Sequence, residues 1–126
     1  MSLCPCGSET AYIACCGRWH AGPLHLQAPD AQALMQSRYS AYVLGLEDYV
    51  LQTWHPSTRP EQAMELDASV RWLGLEVRHH AAEDADHATV EFVARSKLGG
   101  RAARLHEVSR FVREGGRWYY LSGDVR

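Results

Sequence analysis

Cys4, Cys6, Cys15 and Cys16 are the 4 cysteines of the chain, spaced Cys-x-Cys, then eight residues, then Cys-Cys. Divalent zinc prefers a tetrahedral shell of thiolate or imidazole ligands, and four thiolates fill it. A Cys-x-Cys turn aims two sulfurs at one point, and the intervening loop must fold back to deliver the second pair. Pro5 and Gly7 suit that turn, whose backbone N–H groups can hydrogen-bond the sulfurs. One helical turn over Tyr12 to Cys16, ended by Gly17, would bring the second pair in. A full shell leaves no open position, so the metal expected is structural, and its binding energy is folding energy for a segment with little core of its own. Iron also accepts a four-thiolate tetrahedron. Two disulfides would need a vicinal Cys15–Cys16 link or cross-links inside a very short loop. The Cys-x-x-Cys spacing usual for thiol redox chemistry is absent. Arg18 and His20 stand close enough in sequence to offset part of the negative charge of such a site.

Other polar residues are candidates for a pocket. Arg38 lies on an apolar helical stripe, where a buried guanidinium would need a carboxylate such as Glu91 or Glu107, or an anion; at the stripe's edge it would snorkel to water. His55 follows Trp54 at an expected helix end. It is a candidate general base, although a histidine there more often caps the helix. Tyr42, Trp54 and Trp118 are the aromatics best placed to share a pocket with Arg38 and Glu91; at helix and strand spacing they could equally fill the core. His106, Glu107 and Ser109 do not make a triad, because successive strand residues point to opposite faces. His79, His80 and His87 flank the acidic run Glu83-Asp84-Ala85-Asp86, which reads as a solvated hairpin loop rather than a second metal site.

The elements that must position these groups follow from periodicity. Asp30 caps a helix whose stripe runs Ala31, Leu34, Met35, Arg38, Tyr39, Tyr42, Val43, and Gly45 ends it. A second helix carries Leu46, Tyr49, Val50, Thr53 and Trp54, and stops before Pro56. Thr58 and Glu61 form a capping box for a short helix to about Leu66. Four β-rich runs come next, at Val70–Val77, Thr89–Arg95, Leu105–Arg113 and Arg117–Leu121. Glu114-Gly115-Gly116 is a hairpin turn between the last two and Gly99-Gly100 a looser turn between the second and third, so these strands pair antiparallel. Helices followed by an antiparallel sheet define an α+β chain. Three parts are expected: 1–22 with every cysteine, a linker at 23–29 between Pro23 and Pro29, and an α+β body at 30–126.

The totals exclude several classes. A chain of 126 residues supports one real core. Hydrophobic residues at 46% and charged residues at 22% exclude wholesale disorder. A net charge of −2, from 13 basic and 15 acidic residues, argues against a strongly electrostatic nucleic-acid binder. No apolar stretch is long enough to span a membrane, and Met-Ser-Leu-Cys-Pro-Cys lacks the basic and apolar regions of a secretory signal. The compartment expected is the reducing cytoplasm, where clustered cysteines hold metal more often than they form disulfides.

Two resemblances sharpen this reading. Cys4-Pro5-Cys6-Gly7-Ser8, Tyr12 and Cys15-Cys16-Gly17 resemble the SEC-C motif, named for the zinc-binding tail of the SecA translocation motor. The resemblance implies that Cys4, Cys6, Cys15 and Cys16 are the ligands. It departs where the motif has a second glycine and several lysines: here stand Glu9, Thr10, Ala11, Ile13 and Ala14. Ala33–Tyr42, Thr53–Pro60, Glu107–Phe111 and Gly116–Tyr120 resemble the YchJ-like family of small bacterial proteins. That resemblance implies a nuclear-transport-factor-2-like (NTF2-like) cone, a curved antiparallel sheet wrapped around helices, with no established activity.

The expected function is therefore that of a zinc-binding adaptor or binding protein. The knuckle would dock a protein partner, and the cone would bind a small ligand or a second copy of the chain. The rival is an enzyme using His55 or Arg38 on a small polar substrate in the cone. Nucleic-acid contact through the knuckle is disfavoured by the missing lysines.

Overall fold

The computed structural model describes residues 2–61 and 66–126. A 3-10 turn at Tyr12–Ala14 leads into α1 (Gly17–His20), α2 (Ala31–Leu44) and α3 (Glu47–Gln52). The strands β1 (Arg71–Ala82), β2 (His87–Leu98), β3 (Arg101–Glu114) and β4 (Arg117–Val125) form an antiparallel meander in the order β1-β2-β3-β4. This is the α+β arrangement expected.

Local chemistry sets the boundaries. Asp30 caps α2 by accepting from Ala33 N at 2.7 Å, and Gly45 ends it with φ of 72°. Both double-glycine turns have positive φ throughout, 56° and 80° at Gly99-Gly100 and 57° and 77° at Gly115-Gly116. Two-residue turns of that hand match the strand twist, so these hairpins are tight and their strands longer than the β-rich runs alone suggest. The acidic segment is a short connection at 83–86, and His79 and His80 belong to β1. The helix expected from Thr58 to about Leu66 runs through residues outside those described. Thr58 itself donates its hydroxyl to Leu121 O at 2.7 Å rather than capping.

The sheet curls because it is bulged. β1 slips register at Trp72/Gly74 and Val77/His79, and β4 opposite Arg110/Phe111. Val90, Phe92 and Ala94 of β2 pair with Ser109, Glu107 and Leu105 of β3, so all six face the concave side. α2 packs into that concavity with Leu34, Met35 and Tyr39 buried. The end of α3 is stitched to β4: Tyr120 N donates to Thr53 O and His55 N to Tyr120 O, both at 2.8 Å.

The cysteine segment belongs to the same core. Cys4, Cys6, Cys16 and Trp19 are buried together with the residues of α2 and the sheet. Residues 23–29, expected as a linker, are tied down as well. Leu26 N donates to Trp19 O at 3.0 Å, and Ala28 is buried. Among the described residues, no helix is long and apolar enough to cross a membrane.

Candidate metal centre and cone cavity

The four sulfurs of Cys4, Cys6, Cys15 and Cys16 lie within 4.8 Å of one another. In a zinc–thiolate tetrahedron with bonds of about 2.3 Å, the sulfurs stand about 3.8 Å apart. Cys6 Sγ and Cys15 Sγ are 3.6 Å apart, and all four cysteines are free thiols. The group is thus sized for one ion. Two turns build it. Cys4 N donates to Thr10 O at 2.8 Å and Gly7 N to Cys4 O at 3.3 Å, which closes the first loop. The 3-10 turn then delivers Cys15 and Cys16. Gly17 starts α1 rather than ending a turn, and a Cβ there would stand 2.7 Å from Tyr12 O. Only glycine fits this approach of two backbone segments.

The surroundings suit bound thiolates. The hydroxyl of Ser8 lies 3.1 Å from Cys15 Sγ, and that of Ser40, on α2, 3.5 Å from Cys4 Sγ. The Cys16 thiol beside Cys6 pulls the Cys6 thiol down to about 4, and the same pairing pushes Cys16 up. The polar neighbours differ from expectation. Arg18 Nε donates to the Cys15 carbonyl at 3.0 Å, and its guanidinium lies over the Trp19 ring. His20 is turned away: Nε2 donates to Ser37 O at 2.8 Å and Nδ1 accepts from Tyr12 Oη at 2.6 Å. A carbonyl can only accept, which fixes this tautomer. Burial holds His20 below the ordinary histidine value, so it is neutral and offsets no charge.

A cavity of about 270 Å³ lies between α2 and the concave sheet face. Arg38, Tyr42 and Trp54 line it, with Tyr39, Trp72 and Tyr120 completing an aromatic wall. From the sheet come Glu107 and Ser109, with Ser109 Oγ donating to Glu107 Oε2. Among the described residues, Arg38 has no carboxylate within ion-pair distance, and it does not snorkel to water. Its residue exposure is 7%, and Nη1 donates to Val50 O at 2.8 Å and to Thr53 Oγ1 at 2.7 Å. The rings of Tyr120 and Trp54 lie 4.6 and 5.4 Å from its guanidinium carbon. Burial lowers the guanidinium's proton affinity, opposed by nearby tyrosine hydroxyls, and the group stays charged.

The structure takes the other candidates elsewhere. Glu91 faces the opposite side of the sheet and bonds His106 Nε2 at 2.7 Å, which lowers its carboxyl below the usual range. Trp118 lies beyond the cavity, opposite Arg113, whose guanidinium stands 5.7 Å from its ring. His55 is also outside. Its Nε2 donates to Glu114 Oε2 at 2.8 Å, while Nδ1 accepts from Ser57 N at 3.1 Å and lies 2.7 Å from Ser57 Oγ. That serine–histidine–glutamate arrangement clasps the β3–β4 turn and does not border the cavity. His87 pairs with Asp84 at 2.9 Å, and the only metal-sized group among the described residues is the cysteine cluster.

The residue that sequence reasoning placed least firmly is Glu107. A signal for it existed. Val90, Phe92 and Ala94 mark the inward parity of β2, which sends Glu91 outward, while Leu105, Ser109 and Phe111 put Glu107 inward on β3. A Cβ on Gly123 of β4 would collide with the Glu107 carboxyl group, so the glycine makes room for it.

A four-cysteine knuckle packed against an α+β cone defines the class: a metal-binding motif joined to an NTF2-like fold. Residues 30–123 match the family model described as the YchJ middle NTF2-like domain. The chain belongs to the YchJ-like family. It is 62% identical over 125 residues to a UPF0225 protein of Bordetella parapertussis, covering 99% of this chain and 94% of that one. A UPF0225 protein of Chromobacterium violaceum is 62% identical over 129 residues, covering 98% and 93%. The fold is similar to the solution structure of a SEC-C motif containing protein from Rhodopseudomonas palustris, with TM-score 0.81, 35% identity and 98% of each chain covered. A crystal structure of a SEC-C motif containing protein from Psychrobacter arcticus gives TM-score 0.77 and 30% identity, covering 98% of this chain and 82% of that one.

Proposed function

We propose that this is a cytoplasmic zinc-binding adaptor or binding protein, whose knuckle presents a rigid surface to a protein partner and whose cone takes a small ligand. The observation that carries this reading is the closed four-sulfur group, with all sulfurs within 4.8 Å. Four thiolates favour zinc over harder divalent ions, and a full shell makes the ion structural. The division into a motif at 1–22, a connecting segment at 23–29 and a cone at 30–126 follows from it, with the three parts sharing one core. Support for a docking role comes from Leu3 and Ile13, which flank the knuckle with 63% and 71% of their surface exposed.

Deleting residues 1–22 would open the core, so the docking test is a charge placed on the surface. Ile13→Glu should remove specific partners from an affinity pull-down while leaving the fold and the metal content unchanged. Identical partner lists for both proteins would count against the knuckle as a docking face. The enzyme reading has lost its histidine, because His55 lies on the α3–β4 closure and not in the cavity. Pairing of two copies through the cone is the other use of this fold, and a second copy would appear as a doubled mass in solution.

A further inference from the structure

The cone cavity has an uneven inventory of donors and acceptors. Arg38 comes from the helix wall with five N–H donors. Nη1 serves Val50 O and Thr53 Oγ1. Among the described residues, Nε and Nη2 donate to none, and no carboxylate lies within ion-pair distance of the guanidinium. The Trp54 ring is also on the lining, and its Nε1 is buried without a hydrogen-bond partner among the described residues. Buried polar groups are almost always satisfied, so a buried guanidinium with undonated N–H groups on a cavity wall points to a missing acceptor. The sheet wall has the opposite character. There Glu107 offers acceptor oxygens, one of which already takes the Ser109 hydroxyl. Between the two walls stand flat rings, Tyr39, Tyr42, Trp72 and Tyr120. The volume of about 270 Å³ lies near the lower bound of small-molecule cavities, which suits a single ring.

We infer that the cone binds a small planar carboxylic acid, its carboxylate held by Arg38 and a hydrogen-bond donor at its far end directed to Glu107. The inference rests on the proposed small-ligand role of the cone and names the chemical class of that ligand. The charges agree with it. The guanidinium takes the carboxylate in a forked geometry, Glu107 repels a second anionic group, and the aromatic wall receives the flat body. A phosphate or a dicarboxylate would press its extra charge toward Glu107. A cation would meet Arg38.

The probe is 4-hydroxybenzoate, with benzoate, 4-hydroxybenzamide and benzamidine as controls, titrated into the full chain. The readout is the nitrogen–proton NMR spectrum, in which the 4 tryptophans give separate indole signals and Trp54→Phe identifies its own. The inference predicts that 4-hydroxybenzoate shifts the Trp54 indole signal saturably. Benzoate should bind more weakly for want of the donor, and the amide more weakly for want of charge. Glu107→Gln should abolish the preference for the hydroxyl-bearing acid over benzoate. Tighter binding of benzamidine or of the amide would overturn the carboxylate class and leave the cone as a ligand site. If no probe moves the signals of the lining residues, the ligand-binding role falls with it.

Discussion

Arg38 shows how a charged residue can sit on an apolar helical stripe with no carboxylate among the described residues within ion-pair distance. Two carbonyl or hydroxyl oxygens at the end of α3 and two aromatic faces replace the counter-ion. None of these is near Arg38 in sequence, so periodicity could mark the residue as anomalous but not name its cage. His20 is a second buried polar residue with a testable consequence. Its folded-state value lies below its ordinary 6.5 because burial disfavours the charged ring. The unfolded chain therefore binds the extra proton more readily. The stabilising contribution is complete above pH 6.5 and is lost as pH falls below it toward the depressed folded value. Denaturation midpoints of wild type should drop more steeply than those of His20→Gln between neutral and mildly acidic pH. Metal loss affects both proteins alike, so parallel curves would show that His20 does not titrate with unfolding. At Gly123 the expectation is steric. Gly123→Ala drives a methyl group into the Glu107 carboxyl group and should destabilise by about 1–3 kcal/mol, as overpacking does. Urea denaturation measures it, and wild-type stability would mean that Glu107 moves aside freely.

Among the elements, α2 does most of the positioning. One face supplies Ser40 to the sulfur group and Ser37 O to His20, and its neighbouring face supplies Arg38 and Tyr42 to the cavity. Burial pushes the Tyr49 hydroxyl up to about 12, so it stays protonated and donates to Ser37 Oγ at 2.7 Å, which fixes α3 against α2. The start and end of α2 were legible because a capping aspartate and a left-handed glycine are local signals. Asp30→Ala should cost about 1 kcal/mol by loss of the bond to Ala33 N, measured by chemical denaturation. No change would show the cap to be redundant with packing. The strands were legible in number and order but not in length, since the tight Gly-Gly turns carry the pairing past the apolar runs. The shares of Glu91 and Trp118 in the cavity were misjudged for separate reasons. Strand parity sends Glu91 outward, and Trp118 stands two residues before Tyr120 on β4, the residue that takes the lining position.

For the whole molecule, the consequence of a shared core is that metal and cone are one cooperative unit. The cysteine pattern revealed the ligand group because its members are close in sequence. Their packing against α2 was invisible, as it depends on contacts such as Cys4 with Ser40, which no local pattern encodes. A strong chelator should therefore lower the midpoint of a single thermal transition rather than melt the knuckle alone. Two separate transitions in calorimetry would mean that residues 1–22 fold independently of the cone.

The sulfur group itself is tested by elemental analysis of the purified protein together with its Cys15→Ser variant. The account predicts one zinc per chain in the wild type, consistent with a four-thiolate shell, and loss of most of that zinc in the variant. Wild-type protein without bound metal, or a variant that holds its zinc as tightly as the wild type, would contradict it.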